Sequence, residues 1–140
     1  MFAYYADGHK GICLEFKVGF EHEIGVAAPV VYPPAFPLLN YIQVHKDLSN
    51  ILIFRKAPFW AHERELRAFR YDVPPGYVSF SSNLLRRVIF GSEATSETVT
   101  LVKKWCSAWE SPLVLAHAKP MPDRFELRIE DFEELPGRIV

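Results

Sequence analysis

The spacing of hydrophobic positions changes several times along this chain, and each change marks an element. Residues 11–18 read Gly-Ile-Cys-Leu-Glu-Phe-Lys-Val. Cys13 joins Ile12, Leu14 and Phe16 as an apolar position, and apolar residues on both faces predict a central strand covered on both sides. Val30-Val31-Tyr32 predicts a short second strand, stopped by Pro33 and Pro34. From Asn40 the period lengthens. Tyr41, Val44, Leu48, Ile51 and Leu52 recur every three or four residues. That spacing predicts an amphipathic helix over 40–55, with Asn40 as N-cap, Lys56 at its C-terminus and Pro58 past its end.

A two-residue period then returns. It predicts a strand from Trp60 through Tyr71, a turn at Pro74-Pro75-Gly76, a short strand or edge at Tyr77–Phe80, and a strand at Arg87–Phe90 closed by Gly91. A second helix is predicted over 95–110. Ser92 and Thr95 are its candidate N-caps, and Val99, Val102, Cys106 and Trp109 form its apolar stripe, widened by Leu101 and Trp105. Strands at Leu113–His117 and Phe125–Ile129 complete the chain. Strands with two main helices predict an α+β fold built on a mixed or antiparallel sheet. Its core would hold Ile12, Leu14, Phe16, Val88, Phe90, Val102, Trp105 and Trp109.

Composition narrows the function classes. At 140 residues the chain suits one domain, 1–140, with one core. Its 16 basic and 17 acidic residues leave a net charge of −1, so nothing electrostatic favours a nucleic acid or an anionic membrane as partner. No apolar run reaches the roughly 20 residues of a membrane span, and no basic segment leads into an apolar one as in a secretory signal. Cys13 and Cys106 stand far apart in apolar runs, as expected for reduced core cysteines of a cytoplasmic protein.

The densest chemistry lies in Trp60-Ala-His-Glu63-Arg-Glu65-Leu-Arg67. Strand alternation places Glu63, Glu65 and Arg67 on one face, with Leu66 and Ala68 on the other. On an open surface such a row is a charged edge that resists aggregation. In a cleft, the like charges raise one carboxylate pKa while Arg67 lowers its neighbour's, which is the arrangement acid/base sites use. Tyr4 and Tyr5 precede the turn Asp7-Gly8-His9. A tyrosine there either packs in the core or stacks on a flat ring such as a nucleobase or nicotinamide. His9 is either part of the turn or a ligand contact. The histidines lack metal spacing. His62, Glu63 and Glu65 would need a further ligand from elsewhere, so no metal is expected. Neither a Gly-x-Ser-x-Gly elbow nor a Gly-rich phosphate loop is present.

Three segments carry a resemblance. Phe2-Ala-Tyr-Tyr5-Ala-Asp-Gly-His9-Lys-Gly11-Ile-Cys13-Leu-Glu-Phe16 resembles the motif Trp-x-x-Tyr-Ala-x-x-His-x-Gly-x-Cys-x-x-Phe of a widespread bacterial domain-of-unknown-function family. Lys56-x-x-x-Trp60-x-x-Glu63-x-Glu65-x-Arg67 is similar to its second motif, and Val88-Ile-Phe-Gly91 before a capped helix to its third. The order matches over nearly the whole chain. Phe2 replaces the usual Trp, and the family's upstream strands have no counterpart before it. The resemblance implies a bacterial protein from a mobile-element or defence setting: a small homo-oligomeric ligand-binding or interaction module without a cofactor. Because those upstream strands are lacking, a homodimer is expected through Met1, Phe2, Tyr4, Phe36 and neighbouring apolar residues. A more distant similarity to divergent ADP-ribosyltransferases implies the alternative, an NAD-consuming transferase or glycohydrolase. There Glu63 or Glu65 is catalytic, Tyr5 stacks on nicotinamide and NAD is substrate, while the basic or His residue that those enzymes carry on the first strand has no counterpart. His9 and Arg67 remain candidate ligand contacts from their own positions in the chain.

Overall fold

The computed structural model describes residues 2–17, 21–35, 48–70 and 74–137. The fold is α+β, and the chain packs as two compact units, Met1–Phe20 with Ser79–Val140, and Glu21–Val78.

The first unit is built on a mixed four-stranded sheet. Its strands are β1 (Ile12–Phe16), β4 (Leu85–Phe90), β5 (Leu113–Pro120) and β6 (Leu127–Leu135), in the order β1-β4-β5-β6. β4 pairs antiparallel with β1 and parallel with β5, and β6 pairs antiparallel with β5. A parallel neighbour needs a crossover, and the helix α4 (Ser96–Cys106) supplies it. Thr95 is the N-cap: its hydroxyl accepts the Thr98 amide at 3.2 Å. Of the two candidate caps, Thr95 therefore has this role. Phe90, Leu113, Leu115 and Val88 are the largest fully buried side chains. They form one core with Leu85, Val102 and Cys106, and Ile12, Phe16 and Trp109 pack half-buried against it. On the opposite face Ile89, Ala116 and Ala118 pack with Ala6, which follows the one-turn helix α1 (Phe2–Tyr5).

Several expectations change here. Among the described strands β1 lies at the edge of the sheet, and β4 and β5 are the strands covered on both faces. The apolar Ile-Cys-Leu run reflects packing near a sheet margin, where Leu14 keeps 44% of its surface exposed. The helix expected over 95–110 ends at Cys106. Trp105 is 61% exposed, because α4 turns Val102 and Cys106 to the core and carries Leu101 and Trp105 on its flank, while Trp109, past the end of the helix, packs half-buried against the same core. Tyr77–Phe80 forms no strand. The last strand begins at Leu127 and runs to Leu135, beyond the predicted limit.

The second unit holds a two-stranded antiparallel sheet, β2 (Val26–Pro29) with β3 (Leu66–Phe69), and the short helices α2 (Glu21–Ile24) and α3 (Leu48–Ile53). The strand expected at 30–32 is displaced. β2 precedes it, and Val31 makes only an isolated bridge to Arg55. Ala27, Ala28 and Pro29 have little strand propensity of their own, so pairing with β3 creates that strand. Of the helix expected over 40–55, residues 48–53 are helical and residues 40–47 lie outside the described residues. Met1, Phe36 and Tyr71 also lie outside them.

The turn that precedes β1 is the most sterically constrained point of the first unit. Asp7, Gly8 and His9 all have positive φ, a conformation that L residues with a Cβ rarely adopt. The backbone of His9 presses on Gly91, where an added Cβ would lie 1.9 Å from the His9 carbonyl oxygen. The expected outcome for Gly91→Ala is a loss of the folded state, or of several kcal/mol of stability, in urea titration. Just past the helix, Trp109→Ala is expected to cost about 2–3 kcal/mol, less than a fully buried aromatic. Trp105→Ala is expected to stay within about 1 kcal/mol. Equal losses for the two tryptophans would contradict the assignment of the packed face.

Candidate functional site

The motif residues of the second unit form a four-charge network whose geometry begins in the backbone. Ala57 leads into a 3₁₀ helix over Pro58–Glu63, with Pro58 in its first turn, where a missing N–H costs nothing. Arg64, with φ 47°, ends that helix in the left-handed region and turns the chain into β3. The strand expected from Trp60 therefore starts only at Leu66. Glu63 reaches the common face by way of a helical turn and a reversal of the chain. Glu65 and Arg67 keep the strand relation, with Leu66 and Ala68 exposed on the other side.

Arg67 binds Glu65 through two bonds, Nε to Oε1 at 2.7 Å and Nη2 to Oε2 at 3.0 Å, and its Nη1 donates to the Ile53 carbonyl at the end of α3. Lys56 donates to Glu63 Oε2 at 2.5 Å and to Glu65 Oε2 at 3.4 Å, and its ammonium stands 4.5 Å from the centre of the Trp60 ring. Backbone bonds place Lys56. Its amide donates to Val31 O at 3.1 Å, and the Val31 amide donates to Phe54 O at 2.8 Å. The Glu65 amide donates to the Tyr32 hydroxyl at 3.0 Å, and its carbonyl accepts the Val30 amide at 2.9 Å. The Glu63 side chain is only 7% exposed, and its Oε1 has no hydrogen-bond partner among the described residues.

Two cations thus face two carboxylates. The hydrogen bonds from Arg67, reinforced by its charge and by Lys56, hold the Glu65 carboxyl below the usual carboxylate range. Lys56 and Tyr32 are the members that sequence reasoning missed. Lys56 was legible in the spacing Lys56-x-x-x-Trp60, although its place at a predicted helix end gave it a different role. Tyr32 lies 33 residues from Glu65, and no local pattern signals that contact.

A cavity of about 290 Å³ lies in the same unit. Its described lining includes Pro33, Pro34, Ile51, Leu52, Arg55 and Lys56. Lys56 therefore belongs to both the cavity wall and the network.

The other predicted ligand residues belong to the first unit. Tyr5 ends α1 and is 66% exposed. His9 is half-buried, and its carbonyl accepts the Glu93 amide at 3.0 Å. The first unit also has a charge cluster that the motifs did not suggest. Arg87 on β4 reaches Glu15 on β1 at 2.8 Å and Asp131 on β6 at 3.0 Å. Burial works against the Arg87 charge, but the two acids outweigh it and hold its pKa above the ordinary value. Among the described residues no group of three His, Cys, Asp or Glu side chains is arranged to hold a metal, and no helix is long and apolar enough to cross a membrane. No protein family, curated protein or solved structure matches this chain.

The network makes two measurable demands. Lys56→Met leaves Glu63 nearly buried without its cation, and the expected loss is about 3 kcal/mol by urea titration. A Lys56→Met/Glu63→Gln double variant is expected to recover part of that loss, since it removes the orphaned charge. The second demand concerns pH. Folded Glu65 binds its proton more weakly than the unfolded chain does. Its stabilising contribution is complete above the ordinary glutamate pKa and is lost as pH falls through the lower folded value. Glu65→Gln should therefore flatten the acid limb of the stability curve. An unchanged acid limb would show that the Arg67 pairing contributes nothing to it.

Proposed function

We propose that this chain is a small homo-oligomeric ligand-binding module whose second unit takes a small molecule in the cavity beside Lys56. The observation that carries this reading is the double role of Lys56. Its charge is paired with Glu63 and Glu65, and the same residue lines a mostly apolar cavity. Apolar walls with a few fixed polar groups are what a ligand site requires. The charge-matched network serves as scaffold, holding α3, the 3₁₀ helix and β3 in one arrangement. The mobile-element or defence setting implied by the motif resemblance is compatible with such a module.

Homo-oligomerisation draws support from the first unit. Among the described strands β1 pairs only with β4, so its other edge lacks a strand partner, and Leu14 and Tyr4 nearby are exposed. A twofold dimer is the usual closed solution for identical chains. Light scattering at micromolar concentration is expected to give twice the 16.1 kDa chain mass. A monomer would reject the dimer.

One observation favours a second reading, an NAD-consuming transferase or glycohydrolase. Glu63 is held against a cation, and Glu63 Oε1 has no hydrogen-bond partner among the described residues, as a carboxylate awaiting a ribose hydroxyl would be. Incubation with NAD separates the readings. The module reading expects nicotinamide release no faster from the native chain than from Glu63→Gln or Glu65→Gln. Release that either substitution abolishes, in a variant that still folds, would overturn it in favour of the enzyme.

A further inference from the structure

Charge accounting around the cavity indicates what kind of ligand it takes. Its described lining is mostly aliphatic or proline carbon, with Arg55 and Lys56 as the two cations. Lys56 is neutralised by Glu63 and Glu65. Arg55 is different. It is exposed at the cavity wall, and no carboxylate among the described residues pairs with it. Its backbone is fixed by the parallel bridge to Val31, between the Val31–Phe54 and Lys56–Val31 hydrogen bonds. The backbone of Arg55 is thus held at a defined point, while its charge has no carboxylate partner among the described residues.

An apolar space with one uncompensated guanidinium at its wall selects for a molecule that is apolar with a single anionic end. The apolar part gains by leaving water. A carboxylate can accept two parallel N–H bonds from the planar guanidinium. A polyanion would find one open cation among the described lining residues, and a cation would meet repulsion from Arg55. The cavity, of about 290 Å³, has room for the apolar body of a small aliphatic or aromatic monocarboxylate.

We propose that the cavity beside Lys56 binds a small apolar monocarboxylate, with Arg55 receiving the carboxylate and the walls formed by Pro33, Pro34, Ile51 and Leu52 receiving the apolar body. This rests on the ligand-binding reading above and adds the ligand class and the residue that selects it.

The test uses octanoate and 1-octanol, which share one chain and differ in the charged end, each titrated below its self-association limit into the full chain. Binding is followed by the backbone amide signals of Ile51, Leu52 and Ala57. Octanoate is expected to bind about tenfold more tightly than 1-octanol, the scale of one charge-assisted contact. Arg55→Gln is expected to bring octanoate down to the affinity of 1-octanol and to leave 1-octanol unchanged. Its side chain is exposed and its bridge to Val31 uses backbone atoms, so the variant keeps the fold. Ala57→Leu, which adds bulk at the cavity wall, is expected to weaken both probes. If both probes bind alike, or if the preference for octanoate survives Arg55→Gln, the assignment of Arg55 is overturned while the ligand site stands. If neither probe moves these amides, the cavity is not a ligand site, and the ligand-binding reading falls with the inference.

Discussion

A charge taken out of water must meet its opposite, and that requirement shapes both units of this protein. Glu63, only 7% exposed, is tolerable because Lys56 stands 2.5 Å from one of its oxygens. Lys56 can stand there because its backbone is bonded to Val31, which in turn is bonded to Phe54. Arg67 completes the set by clasping Glu65 and binding the carbonyl that ends α3. In the first unit Arg87 plays the corresponding part, drawing Glu15 and Asp131 from strands on either side of the central pair. In the first unit the cation joins strands far apart in sequence, and in the second the cations tie α3, the 3₁₀ helix and β3 together locally.

A row of two glutamates and an arginine resembles acid/base machinery when it is read along the chain. In three dimensions a lysine joins it and the charges balance. The hydrogen bonds from Arg67 hold Glu65 ionised, which suits a structural anion better than a proton donor. Lys56 also lines the neighbouring cavity, together with Arg55, which pairs with no carboxylate among the described residues. Glu63 Oε1 is the one atom of the network that the described residues leave without a partner. That is why a turnover assay is the deciding measurement between module and enzyme.

In the first unit the main constraint is steric. β4 and β5 lie side by side in parallel with α4 over one face and Ala6 on the other, and they hold the most deeply buried residues. The end of β4 meets a turn in which Asp7, Gly8 and His9 all adopt positive φ. Gly91 permits that approach, and the amides of Gly91 and Glu93 bond to Gly11 and His9. The N-terminal motif is therefore joined to the sheet through backbone contacts. Tyr5 and His9 have definite positions there, although they lie in a different unit from Glu63 and Glu65.

By itself, the sequence determined what local periodicity and short spacing can encode. It contained the α+β class, the helix that Thr95 caps, the strand at Arg87–Phe90 and the pairing of Glu65 with Arg67, two residues apart on one strand face. It marked Gly91 as a stop without indicating that His9 required it. Tertiary structure decided which of the marked faces are covered. Periodicity shows which side chains share a face, but only packing shows whether another element lies over it. β1 therefore falls at an edge, and Trp105 lies on an exposed flank of α4. Tertiary structure also made a strand of Val26–Pro29 by pairing it with β3, and replaced part of an apparent strand with a 3₁₀ helix ending at Arg64. The seating of Lys56 on Glu63 and of Tyr32 on Glu65 follows the same rule. Such contacts depend on hydrogen bonds between segments brought together only by folding, and a local pattern carries no information about a partner 33 residues away.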